Sequence, residues 1–269
     1  MTFPQDAPAL AGLADSHCHL NAAAFEGDRA EVISRAHAAG VETMIVVGLD
    51  PESSERAMDL ARLHAGAGLA ATAGLHPHEA GRFGGAIRVA LEELCAREEC
   101  SAVGETGLDW FKEWAPRDDQ LESFRWQLAL ARRLGKPVVI HSRDAHEDTL
   151  RLVEEAEGVR GVMHCFSYGP AEMERYLDAG LSISFSGNVT YRTADAIRAA
   201  AASCPPERLL VETDSPYLAP LPHRRERAEP AHVALTLRRV AEVRGDDPAA
   251  LAARAGENAR RLFGLTAAK

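Results

Sequence analysis

No uninterrupted apolar run in this chain approaches the ~18 residues a membrane span needs. The first twenty residues carry no basic stretch leading into an apolar one, so no secretion signal is expected. Cysteine is scarce: five residues, an odd number, with no pair at C-x-x-C spacing. That excludes a disulfide framework and points to a reduced, cytoplasmic protein. Positive charge is also short. Lys and Arg number 30 against 40 Asp and Glu, a net charge of −10. This argues against a broad basic face for nucleic acid, but not against a local grip on a few phosphates where metal ions add positive charge. Two signatures are missing as well. The absence of G-x-G-x-x-G after the first strand weakens a dinucleotide fold. Without a G-x-S-x-G elbow, Ser142 and Ser167 do not make a serine hydrolase, although each stands near a histidine.

What is present reads as an ordinary globular chain, 46% hydrophobic and 26% charged. Short, largely β-branched apolar runs recur at 13–15, 43–48, 69–74, 102–105, 137–141, 161–164, 181–185 and 209–214. Stretches with helical periodicity lie between them, and a final helical pair spans about 231–243 and 248–263. Strands alternating with helices predict parallel βαβ units. Eight such strands predict a (β/α)8 TIM barrel better than an open sheet. There is no Pro-, Gly- or Ser-rich linker and no internal repeat, so residues 1–269 are expected to form a single (β/α)8 domain.

In a barrel of this kind the chemistry sits at the C-terminal ends of the strands, and those ends are loaded with polar residues. The first run ends in Asp15-Ser16-His17-Cys18-His19. Residues two apart on a strand share a face, so His17 and His19 can converge on one ion while Cys18 packs on the other side. Glu105 follows a glycine at the end of the fourth run, where a carboxylate is able to bridge two cations. His141 and His164 end the fifth and sixth runs. The eighth run carries Glu212 and Asp214, expected on one face, and a buried acidic pair is costly unless protonated, paired or coordinated. Each of these residues alone fits an ordinary strand-end turn. Together, four imidazoles and two carboxylates from five strands fit two divalent ions, Mg, Mn or Zn, sharing a bridging carboxylate.

These segments resemble the TatD family of metal-dependent deoxyribonucleases, within the amidohydrolase-like barrels. The matching motifs are DSHCHL at 15–20, GLHPH at 74–78, GETGLDW at 104–110, IHSRDA at 140–145, MHCFS at 163–167 and ETDSPYLAP at 212–220, with ENARRLF closing the chain. The resemblance implies a TIM barrel of the metal-dependent hydrolase type, a binuclear divalent-metal site and cleavage of phosphodiester bonds in DNA, often from the 3′ end. It implies that His17, His19, Glu105 and Asp214 hold one metal, and that Glu105 bridges to a second held by His141 and His164. It further implies that Asp214 orients or deprotonates the attacking water. One segment departs from the family pattern: an Arg-Gly-Lys-Arg-Asn-Glu-Pro-like stretch reads here His223-Arg224-Arg225-Glu226-Arg227-Ala228-Glu229-Pro230.

Substrate contacts are expected from Arg143, two residues beyond His141, and from Arg224, Arg225 and Arg227 beside the mouth. His76 and His78 are expected to meet a phosphate, to support the ligands or simply to form a turn around Pro77. Trp110 and Phe111 are expected to stack a base or to anchor their loop. The competing function is an amidohydrolase acting on a small amide, lactone or ester. A noncatalytic metal-binding protein fits less well, because a structural zinc site is closed by four ligands and leaves no open position.

Overall fold

The first half of the chain alternates β1 (Leu13–Cys18), α1 (Arg29–Ala38), β2 (Val41–Val46), α2 (Pro51–Leu63), β3 (Leu69–Ala73), α3 (Gly85–Ala96), β4 (Cys100–Asp109) and α4 (Arg117–Leu134). The second half continues with β5 (Val138–Arg143), α5 (His146–Glu155), β6 (Gly161–Met163), α6 (Pro170–Asp178), β7 (Ser182–Phe185), α7 (Asp195–Ser203) and β8 (Leu209–Val211). Helices α8 (Val233–Arg244) and α9 (Pro248–Phe263) close it. This computed structural model describes residues 9–64 and 66–266. No helix among them is long and apolar enough to cross a membrane.

All strands are parallel and lie in sequence order in one eight-stranded sheet. The sheet closes on itself at the β1–β8 seam. Asp214 N donates to His17 O at 2.9 Å and His19 N to Ser215 O at 2.8 Å. Below that, the Asp15 carboxylate accepts from Thr213 N at 2.9 Å and Thr213 Oγ1 at 2.6 Å. Burial pushes Asp15 up to about 8, so the seam is tied by a carboxyl that resists ionisation.

The predicted order of elements stands, but β6 and β8 end before the polar residues expected on them. Strand β6 stops at Met163 and β8 at Val211, so His164, Glu212 and Asp214 lie just past the ladder. Both faces of each strand are covered, as a closed parallel sheet requires. One apolar cluster packs strands against helices through residues such as Leu13, Val103, Ile140 and Leu209. A second fills the interior with Ala14, Ile45, Ala70, Ala102, Val139, Val162 and Leu210, and α9 adds Ala259 and Phe263 to it. Asn258 of α9 donates to Pro206 O and Leu209 O, which fixes the helix against the start of β8. The N-terminal end of the barrel is thereby plugged, and the opposite end is left for chemistry.

Interior residues then fix which later side chains turn inward. Counting by twos from Val139 and Val162 reaches His141 and His164 directly. Counting from Ala14 and Ala102 would send His17 and Glu105 outward, since each lies three residues on. The β1 register slips between Asp15 and Cys18, and the β4 register between Val103 and Thr106. A one-residue slip at each place moves the side chain to the other face. Glycine makes the second slip practicable: Gly104 has φ +145°, and a Cβ there would lie 2.7 Å from Val139 O.

Candidate metal centre

Imidazoles and carboxylates converge above the plugged interior. His17 Nε2 and His19 Nε2 are 3.2 Å apart. Glu105 Oε2 lies 3.3 Å from His17 Nε2 and 4.0 Å from His19 Nε2. Asp214 Oδ1 lies 3.7 Å and 3.4 Å from the same two nitrogens. The other nitrogen of His19 is 3.3 Å from Val47 O, which leaves Nε2 as its free lone pair. Four donor atoms facing one another at these distances form a chelating arrangement, and imidazole plus carboxylate suits Zn, Mn or a similar divalent ion.

A second set gathers on the other oxygen of Glu105. Oε1 lies 3.0 Å from His141 Nδ1, 3.1 Å from His164 Nε2 and 3.4 Å from His76 Nε2. Donor atoms of His76, Glu105 and His141 all fall within 4.8 Å of one another, as do those of His17, His19 and Glu105. His76, for which the sequence leaves both a substrate contact and support of the ligands open, stands buried among the donors, with its Nδ1 accepting from His78 N at 3.1 Å.

Two carboxylates hold these rings from behind. Glu212 Oε1 is 3.0 Å from His164 Nδ1 and accepts from Cys165 N at 2.7 Å. Asp109 Oδ2 is 3.3 Å from His141 Nε2 and 2.8 Å from His78 Nε2. Strand alternation predicts Glu212 and Asp214 on one face; in the structure Glu212 meets His164 while Asp214 meets His17 and His19. The strand has ended, Asp214 sits at φ +57°, and alternation no longer applies. The sequence pattern assigns Asp109 no role, although GETGLDW offers a carboxylate four residues beyond Glu105 on the same strand. Carboxylates that fix a ligand's ring are worth about 10–100-fold in metal affinity. Glu212→Gln is therefore expected to weaken divalent-ion binding about tenfold in calorimetry, and Glu212→Ala to approach 100-fold.

The protonation states follow from the neighbours. Burial would raise Glu105, but His164, His76, His17 and His141 override it and hold the carboxyl well below its usual range. Burial pushes His76 down to about 4 and also lowers His17, so both rings are neutral donors. Burial would likewise lower His164, yet Glu105 and Glu212 hold it well above its ordinary value; Asp109 and Glu105 raise His141, and Asp214 raises His19. A ligating nitrogen must give up its proton. Loading with a divalent ion is thus expected to release protons and to tighten as pH rises through the range of these raised histidines. Calorimetry in buffers of different ionisation enthalpy measures the proton count, and a count of zero at pH 7 would contradict this.

At the mouth, Arg143 is exposed and its guanidinium carbon stacks 3.9 Å from the centre of the Phe111 ring. Trp110 is an anchor: it is partly buried against the core, and its Nε1 donates to Asp148 Oδ2 at 3.2 Å. Arg224 is exposed, stacked 3.8 Å over Tyr191. The Tyr191 ring also lines a cavity of about 400 Å³ with Arg192, Arg198, Leu221, Pro222 and Arg239, and no donor residue lines that cavity. Arg225 is exposed. Arg227 is not available to substrate. It binds Asp28 at 2.8 and 2.6 Å, Glu229 at 2.9 Å and Ala24 O at 2.6 Å, and so ties its loop to the start of α1.

A closed parallel barrel with imidazoles and carboxylates gathered at its C-terminal rim defines a metal-dependent hydrolase. The chain belongs to the TatD related DNase family, whose model matches residues 14–264. It is 39% identical over 254 residues to an uncharacterized metal-dependent hydrolase, YabD, of Bacillus subtilis, covering 93% of this chain and 98% of that one. It is 37% identical over 260 residues to the 3′-5′ ssDNA/RNA exonuclease TatD of Escherichia fergusonii, covering 94% and 99%. Among solved structures, the TatD homologue YjjV of Escherichia coli superimposes with a TM-score of 0.90 at 29% identity, covering 96% and 100%.

Proposed function

We propose that this hydrolase cleaves phosphodiester bonds in single-stranded nucleic acid, DNA in the first instance, working from the 3′ end with two divalent ions. The observation that carries this reading is Glu105. Its Oε2 faces His17 and His19, while its Oε1 faces His141, His164 and His76, the disposition of a carboxylate shared between two cations. His17, His19, Glu105 and Asp214 would hold one ion, and Glu105, His141 and His164 the other, with His76 beside it. When bound, such ions lower the pKa of water and offset the charge that grows on phosphoryl oxygens.

Asp214 takes the proton of the attacking water. Its side chain is 15% exposed, against 0–6% for its three companions around His17, so it borders the open mouth. Burial would raise it, but His19, His164 and His17 keep it below its ordinary value and therefore ionised, ready to accept. Arg143, exposed beside His141, pairs with a phosphate of the strand. A charge-assisted hydrogen bond of this kind is worth about 1.5–3 kcal/mol. Arg143→Ala is expected to raise KM for an oligonucleotide roughly tenfold or more with metal content unchanged; an unaltered KM would remove Arg143 from the substrate.

The reading is tested by assaying end-labelled single- and double-stranded DNA across Mg, Mn and Zn. Laddering from the 3′ end of the single strand is the expected result. Turnover of lactones or amides with DNA untouched would instead favour a small-molecule amidohydrolase.

A further inference from the structure

The large exposed side chains of this protein are unevenly placed. Among the described residues, five large hydrophobic side chains are exposed: Leu63, Val89, Phe111, Trp114 and Tyr217. Leu63 and Val89 lie on the outer helices α2 and α3. Trp114 and Tyr217 border the donor cluster, and Phe111 follows Asp109, whose Oδ1 accepts from Phe111 N at 2.9 Å. Trp114, 68% exposed, rests against His78 with ring centres 4.4 Å apart, and His78 is bound through Asp109 to His141. Tyr217, 58% exposed, lies 6.1 Å from the His19 ring on the opposite side of Glu105. An exposed tryptophan costs solubility and gains nothing from the core, so its position at a mouth points to a ligand with a flat face.

Charge completes one side. Lys112 Nζ stands 5.3 Å from the Trp114 ring and 5.8 Å from Phe111, and the Arg143 guanidinium covers Phe111 at 3.9 Å. Two cations interleaved with two exposed aromatics, in a chain of net charge −10, suit a ligand that carries anions and flat rings in alternation. A single nucleic-acid strand is such a ligand. In a duplex the base faces are stacked away and unavailable.

We propose that Trp114 and Tyr217 are base-stacking surfaces on either side of the donor cluster, each holding one unpaired nucleobase. Lys112 and Arg143 pair with the intervening phosphates on the Trp114 side. The proposal rests on the nuclease reading and gives it a cause for preferring single strands: a base must be free of its partner before it can stack on the enzyme.

The test uses the metal-loaded full chain and two fluorescent probes, a phosphorothioate deoxythymidine decamer and the same decamer with abasic tetrahydrofuran units in place of every base. Trp114→Ala and Tyr217→Ala are each expected to weaken binding of the base-bearing decamer roughly tenfold by anisotropy. Neither is expected to change binding of the abasic decamer, and Trp114→Phe is expected to retain most of the affinity. Equal losses on both decamers, or no loss on the base-bearing one, overturn the stacking role. Cleavage of the ordinary phosphodiester decamer is followed in parallel. Base-dependent binding without cleavage by any of the three metals defeats the nuclease reading and leaves the stacking sites standing. Cleavage without base-dependent binding does the reverse, and a wild-type protein that neither binds nor cleaves overturns both.

Discussion

Asp214→Asn is expected to lower kcat on single-stranded DNA by about 10²–10⁴-fold, the usual scale for removal of a general base. The amide keeps the shape and one coordinating oxygen, so binding of the strand and of at least one metal ion should persist. What disappears is the proton acceptor. Single-turnover rates at saturating metal separate lost chemistry from lost occupancy. A near wild-type rate would move the proton to another group. Glu212, the other carboxylate past β8, is poorly placed for it: it is fully buried behind His164, with Oε1 committed to His164 Nδ1 and Cys165 N.

The second large effect is expected at Glu105. Its carboxyl is buried and meets five imidazoles, so Glu105→Ala removes a donor from both halves of the cluster and the negative charge that offsets those rings. Outer carboxylates such as Glu212 are worth about 10–100-fold in metal affinity, and the loss at a shared direct donor should exceed that. Elemental analysis should show metal lost from the purified variant, with activity undetectable at metal concentrations that saturate the wild type. An independent readout is thermal. An ion at 100 times its Kd adds about 2.7 kcal/mol to the native state, and this gain should appear on metal addition to the wild type and vanish in the variant. Full metal content in Glu105→Ala would end the bridging role.

His141 and His164 show how legible such a site is when the strand is regular. Each follows an interior valine by two residues, so hydrophobic alternation alone aims it inward. His76 shows the opposite: the turn after β3 is not a strand, and no periodicity tells whether its ring meets the substrate or Glu105. Arg227 is a similar case. The charge run that contains it reads as one basic loop, and only the positions of Asp28 and Glu229 turn this one arginine into a tether while Arg224 and Arg225 stay exposed. Trp110 and Phe111 are neighbours in sequence, yet Asp148 captures the first and leaves the second at the mouth.

By itself, then, the sequence determined the alternation of eight strands with helices, and which strand ends carry imidazole and carboxylate, because both are local patterns of period 2 and 3.6. Tertiary structure decided the facing of the two residues on which the centre depends most. From Ala14 and Ala102 the alternation points His17 and Glu105 away from the interior, and a register slip in β1 and another in β4 turn them back. Such slips are set by pairing with neighbouring strands, β2 on one side and β5 on the other, which lie tens of residues away in the chain. No local pattern encodes them, and without them the two donors would lie among the helices.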